Sequence, residues 1–227
     1  MFKPTIIPPT QFRRHPGSQP LPSQKELGSA SPVTTVSLSG TWYVRLSSSP
    51  FWIDKYGVSI TFTLDDDDDN DNVAAAAPAQ PTTSESDLET HAVYTSHLSY
   101  RTSTQPSGDT KTVSGTDRRL GAAPSAENAR TIPMEWRGSG WMKLVKTRWE
   151  ILGFGGGGPG TETEWLVAYA EKSMFNPPGI SIYSRERELR AEVEAEIREV
   201  LAEMVGEAEE QRDELQRLVR EVRVVGL

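Results

Sequence analysis

The chain has 227 residues, a formal net charge of −8 and no cysteine, which excludes a disulfide framework and any thiolate metal site. Apolar residues make up 36% of it, and no run approaches the ~20 consecutive apolar residues of a bilayer-spanning helix. The acidity is local: residues from Arg185 onward hold 8 basic and 13 acidic groups, and Asp65–Asp69 with Asp71 add six carboxylates. What remains is slightly positive without a basic cluster, which argues against a nucleic-acid partner.

Residues 1–36 read as a flexible N-terminal tail. Five prolines before position 21 oppose an amphipathic transit helix, and no apolar secretory core is present. Together with the lack of cysteine this points to an intracellular protein. Residues 37–185 carry the apolar content. Gly40–Leu46 and Val58–Leu64 alternate apolar and polar residues, the period of a strand with one buried face. Residues 65–90 form an insertion without periodicity, an Asp run followed by an Ala and Pro/Thr/Ser stretch, expected to be disordered. Ala92–Tyr100 resumes the alternation, a weaker strand is expected near Lys111–Thr116, and a second soft insertion covers about 118–130. Thr131–Arg137, Trp141–Val145, Trp149–Phe154, Glu164–Glu171 and Ile180–Tyr183 follow as strands separated by Gly- and Pro-rich turns. Sequential antiparallel hairpins of this kind imply an up-and-down β-barrel. Residues 186–225 then change period to about 3.6, the mark of a charged amphipathic helix with a narrow apolar stripe from Leu189 to Val222. Gly206 is a point where this helix can bend or split. Its stripe either packs on the barrel wall or supports weak self-association.

Gly40-Thr41-Trp42-Tyr43 resembles the opening strand of lipocalins and the wider calycin superfamily. The resemblance is strongest to fungal lipocalin-like proteins, through Trp136-Arg137-Gly138-Ser139-Gly140-Trp141, Trp149–Gly153 and Pro178–Arg185. It implies a barrel whose base is closed by Trp42 with Arg185 stacked across the indole, a cation–π pair. Some proteins of that group act in secondary metabolism as pericyclases that shape a polyene for cyclisation.

Aromatic residues on the expected strands are the main site material. Tyr94, Trp136, Trp149, Trp165, Tyr169 and Tyr183 are candidates to line a small-molecule lumen, set against the alternative that they simply fill a core. Glu150 is the candidate lumenal acid, although strand glutamates more often face water. His91 and His97 lie too far apart along one strand for a shared metal, and Asp65–Asp69 lacks the spaced ligands of a calcium loop. Gly155–Gly158 lacks the Lys-Ser/Thr of a phosphate loop, no Gly-x-Ser-x-Gly or Ser/His/Asp arrangement is present, and neither metal nor cofactor is called for. The reading that follows is a lipocalin-like barrel holding an apolar small molecule. The alternatives are a cofactor-free pericyclase using the same lumen, and an assembly protein whose helix acts while the barrel is filled.

Overall fold

The computed structural model describes residues 6–13, 37–65, 92–105, 108–120, 131–156, 163–174 and 176–226. Alternation built the strands as expected: β1 (Gly40–Ser47), β2 (Tyr56–Leu64), β3 (Val93–Arg101), β4 (Thr110–Arg119), β5 (Ile132–Gly138), β6 (Lys146–Gly155), β7 (Trp165–Ala170) and β8 (Gly179–Ser184). Each pairs antiparallel with its successor, and β1 pairs with both β2 and β8, closing an eight-stranded up-and-down barrel.

Two boundaries differ from the expectation. The weak fourth strand runs on to Arg119, which takes Arg118 and Arg119 out of the second insertion. Residues 141–145 are not a strand. Gly140–Met142 forms a 3-10 turn, and Gly138 N donates to Val145 O at 3.1 Å, so one tight connection joins β5 to β6. The positive φ of Gly140 (59°) turns the chain before the apolar run can extend. Residues 66–91 and 121–130, which include most of the Asp run and His91, lie outside the described residues.

The expected single C-terminal helix is two helices and a strand. α1 (Ala191–Glu207) ends at residues 208–211, α2 (Arg212–Arg220) follows, and β9 (Arg223–Val224) pairs with Leu46 and Ser47 of β1. Arg212 donates to the carbonyls of Gly206 and Ala208, satisfying acceptors that the end of α1 leaves free. The break re-phases the stripe, so Ile197, Val200, Leu201 and Met204 on α1 and Leu215 and Leu218 on α2 all bury against one surface. That surface is the outer barrel wall: Leu46, Leu152, Trp165, Val167, Tyr169, Ile180 and Ile182. The stripe that a second helix would need is therefore occupied.

The same outer cluster takes up part of the N-terminal segment read as a flexible tail. Ile6 and Phe12 are buried in it, with the Phe12 ring edge-on to Tyr169 at 5.6 Å. Ile7 N donates to Leu152 O, and Phe12 O accepts from Glu209 and Glu210 of the link between the helices. The prolines that rule out a helix here favour the extended path that residues 6–9 follow along the wall.

Removing a fully buried ring from this layer leaves a cavity. Phe12→Ala is expected to lower unfolding free energy by about 3–5 kcal/mol in urea denaturation. A loss of a few tenths would mean that the segment is not docked.

Candidate functional site

Residues directly opposed in an antiparallel pair share a face, so the register sorts the barrel into an outside and an inside. Ile151 opposes Ala168, Phe154 opposes Leu166, and Met134 opposes Trp149. These residues cluster with Trp42, Phe62, Tyr94 and Tyr183, and none joins the helix-covered layer. A second interior group, Val44, Val58, Trp52, Leu98 and Tyr100, includes Val225 from the chain's last residues.

At the base, the Arg185 guanidinium lies 3.8 Å from the Trp42 ring centre, and the indole donates to Leu38 O at 2.9 Å. Arg185 also bonds Glu164 Oε2 at 2.9 Å and Ser37 O at 2.8 Å. Gly40 makes this stacking possible: its φ is +96°, and a Cβ there would stand 3.0 Å from Arg185 Nη1.

Four of the six candidate lining residues face inward. Tyr94 and Trp136 both oppose Asp117 of β4 across the adjoining pairs, Trp149 packs near Phe62, and Tyr183 opposes Val44. The Trp136 indole lies over Gly115, where a Cβ would come within 2.2 Å of its Nε1. Trp165 and Tyr169 face the other way, into the helix layer. Every residue from Trp165 to Tyr169 is buried, because β7 is covered on both faces, and alternation alone carried no sign of direction there.

Glu150 is also outside. It opposes Tyr169, and its carboxylate accepts from Thr10 N at 3.1 Å and Thr10 Oγ1 at 3.0 Å, with Arg13 at 3.9 Å. It anchors the N-terminal segment rather than serving the interior.

The interior carboxyl is Asp117, which sequence reasoning missed. It is 3% exposed, and its Oδ1 accepts from Trp149 Nε1 at 2.8 Å. Burial raises its pKa to about 6, opposed by hydrogen bonds from Ser96 and Trp149. The available signal was parity: Asp117 shares a face with Val113 and Gly115, one residue beyond where the fourth strand was expected to stop. Nearby, burial pushes the Tyr183 phenol up to about 12, with Ser181 opposing and Asp117 adding to the effect. Tyr183 therefore stays a neutral donor at physiological pH. Ser181 in turn bonds Ser47 at 2.8 Å.

Burial is uneven inside the barrel, where Trp42, Val44, Met134, Ile151 and Leu166 are at most 2% exposed. Outer-wall residues Val167, Ile180 and Ile182 are 0% exposed, whereas the inward Tyr94, Trp136, Trp149 and Tyr183 are only half-buried. Around Asp117, the one buried interior carboxyl among the described residues, several aromatic rings and hydroxyls thus keep some accessible surface, a composition compatible with a small-molecule site.

Among the described residues no group of three or more His, Cys, Asp or Glu is placed to hold a metal, and no helix is long and apolar enough to cross a membrane. His97 Nδ1 bonds Ser114 Oγ at 2.8 Å on the exposed face. No protein-family model matches the chain, and no curated protein is significantly similar to it in sequence.

Because the folded-state pKa of Asp117 lies above its ordinary 3.8, the native state holds the proton more tightly than the unfolded chain. The resulting stabilisation is complete below about pH 4 and is lost as pH rises to about 6, a change of about 3 kcal/mol. Asp117→Asn removes this dependence. The variant should match the wild type near pH 4 and exceed it by up to about 3 kcal/mol at pH 8 in urea unfolding. A difference that is constant across pH would contradict the assignment.

Proposed function

We propose that the barrel binds an apolar small molecule inside, with Asp117 as its polar anchor. The observation that carries this reading is the accessible surface left on inward-facing Tyr94, Trp136, Trp149 and Tyr183 around a carboxyl that has no cationic partner among the described residues. A buried acid without a counter-charge is costly as structure and useful as a ligand contact. Near neutral pH it accepts from a ligand hydroxyl or amine, and when protonated it donates to a carbonyl. The Trp42–Arg185 base and the Gly40-Thr41-Trp42-Tyr43 strand agree with the resemblance to lipocalin-like proteins, including those of fungal secondary metabolism.

Asp117 also favours a second reading, a cofactor-free pericyclase. A polyene folded against the inward rings would isomerise without gain or loss of atoms, and the protonated Asp117 would polarise a conjugated carbonyl by hydrogen bonding. The two readings separate on whether incubation returns the added compound or a product of unchanged mass and altered retention.

The test uses N-phenylnaphthylamine as an apolar probe with nitrogen-15-labelled protein, following the six indole N–H resonances. Saturable binding should shift Trp149 and Trp136 and leave Trp165 in place, and Ala168→Phe, which adds bulk to the interior, should weaken it at least tenfold. Absence of saturable binding, or a response led by Trp165, would overturn the proposal.

A further inference from the structure

Up-and-down connectivity puts every second loop at the same end of the barrel. The β1–β2, β3–β4, β5–β6 and β7–β8 connections all lie at the end opposite the Trp42–Arg185 base. Large apolar side chains stand out from three of them: Ile53 is 52% exposed, Trp141 89%, Leu144 92% and Met174 81%. The other large apolar residues exposed to this degree among the described residues are Leu64 and Val224. Single exposed apolar residues are common on any protein, but a nearly naked Trp beside a Leu, repeated by Met and Ile on neighbouring loops at one end, is a patch with a use.

The β5–β6 loop presents its pair in a fixed way. Ser139 N and Oγ both donate to Ser114 O at 3.0 Å, Met142 N donates to Ser139 O at 3.0 Å, and Val145 N donates to Met142 O at 2.8 Å. Met142 folds back toward Gly138, while Trp141 and Leu144 are left outside. The local charge has the opposite sign to that of the whole chain. Residues 48–55, 101–111, 137–146 and 171–178 carry seven Lys or Arg against Asp54, Asp109 and Glu171, in a protein of net charge −8. Lys143 stands between the exposed pair, and Lys146, half-exposed and 3.5 Å from Glu135, follows two residues after Leu144.

We propose that this end of the barrel docks on an anionic lipid surface, with Trp141, Leu144, Met174 and Ile53 entering the headgroup region and the surrounding lysines facing the lipid phosphates and carboxylates. Trp is the side chain best suited to the interfacial zone, and cations around apolar points are the pattern of peripheral membrane contact. A second copy would bring the same cationic end against itself. The apolar points also project from separate loops, which a fluid lipid surface accommodates. This inference stands apart from the interior site.

Flotation of the full chain with phosphatidylcholine vesicles, with and without phosphatidylserine, tests it. Binding is expected only with phosphatidylserine, together with a blue shift of Trp emission and loss of binding in high salt. Trp141→Ser with Leu144→Ser should lower vesicle binding about tenfold or more without moving the thermal midpoint, since neither side chain is packed. Lys143→Glu with Lys146→Glu should remove the preference for phosphatidylserine. No vesicle binding, or equal binding by wild type and the serine double variant, overturns the proposal. A dimer in sedimentation that the double variant abolishes, with no vesicle binding, would assign the patch to self-association instead.

Discussion

Closure of the barrel rests on β1, which must hydrogen-bond two neighbours and cannot satisfy both along its whole length. Its first half, Gly40–Tyr43, faces β2, and its second half, Tyr43–Ser47, continues along β8. At Arg45 the register shifts, and this irregularity reverses the side-chain alternation. Val44 points inside and Leu46 points out into the helix layer. Past the shift, β1 parts from β2 and leaves backbone groups on both strands without barrel partners. The chain fills this gap with its own end: β9 pairs with Leu46 and Ser47, Val225 N donates to Arg45 O, and Gly226 bridges to Tyr56. Val225 then contributes to the interior cluster. The C-terminal helices are thus the route by which the last strand reaches an opening in the wall, as well as the cover on that wall.

The two faces of the barrel wall differ in what they bury. The outside supplies the dense packing, in which two helices and the Ile6–Arg13 segment enclose a layer of Trp, Tyr, Phe and aliphatic side chains that is almost wholly buried. The inside holds rings that remain partly accessible, and it holds Asp117, whose burial disfavours the ionised form. A protein can carry such a destabilising group inside its barrel because the outer layer holds the cylinder closed independently of it. Glu150 and Asp117 illustrate the division. Both are strand carboxylates with low exposure, yet one fastens a chain segment to the outer wall and the other faces the barrel interior.

Much of the fold could be read from the residues because alternation and turn composition are local signals. Val58–Leu64 and Ala92–Tyr100 read directly as strands with one shared face, whereas the Trp42–Arg185 pair is implied by the resemblance to lipocalins and not by any local pattern. What alternation lacks is a sign. Trp165, Val167 and Tyr169 plainly share a face, but only the presence of a helix layer makes that face the outer one. Strand limits are also weakly encoded, which is why Asp117, at the end of a Thr- and Gly-rich strand, escaped notice and why Trp141–Val145 looked like a strand of its own. The docked N-terminal segment has no periodicity at all. Its anchors, Thr10 to Glu150 and Phe12 to Tyr169, span more than a hundred residues and appear only in three dimensions.

The aromatic interior of the barrel holds one buried carboxyl among the described residues, and the Trp149 indole reports on that group through a 2.8 Å bond to Asp117. The most direct measurement is a pH titration of the Trp149 Nε1–H resonance in nitrogen-15-labelled protein. One inflection near pH 6 is expected, as the buried acid ionises and its acceptor strength rises, with the Trp165 indole unaffected. An inflection near the ordinary carboxylate value of 3.8, or a Trp149 resonance that does not move, would place Asp117 in water and contradict its burial.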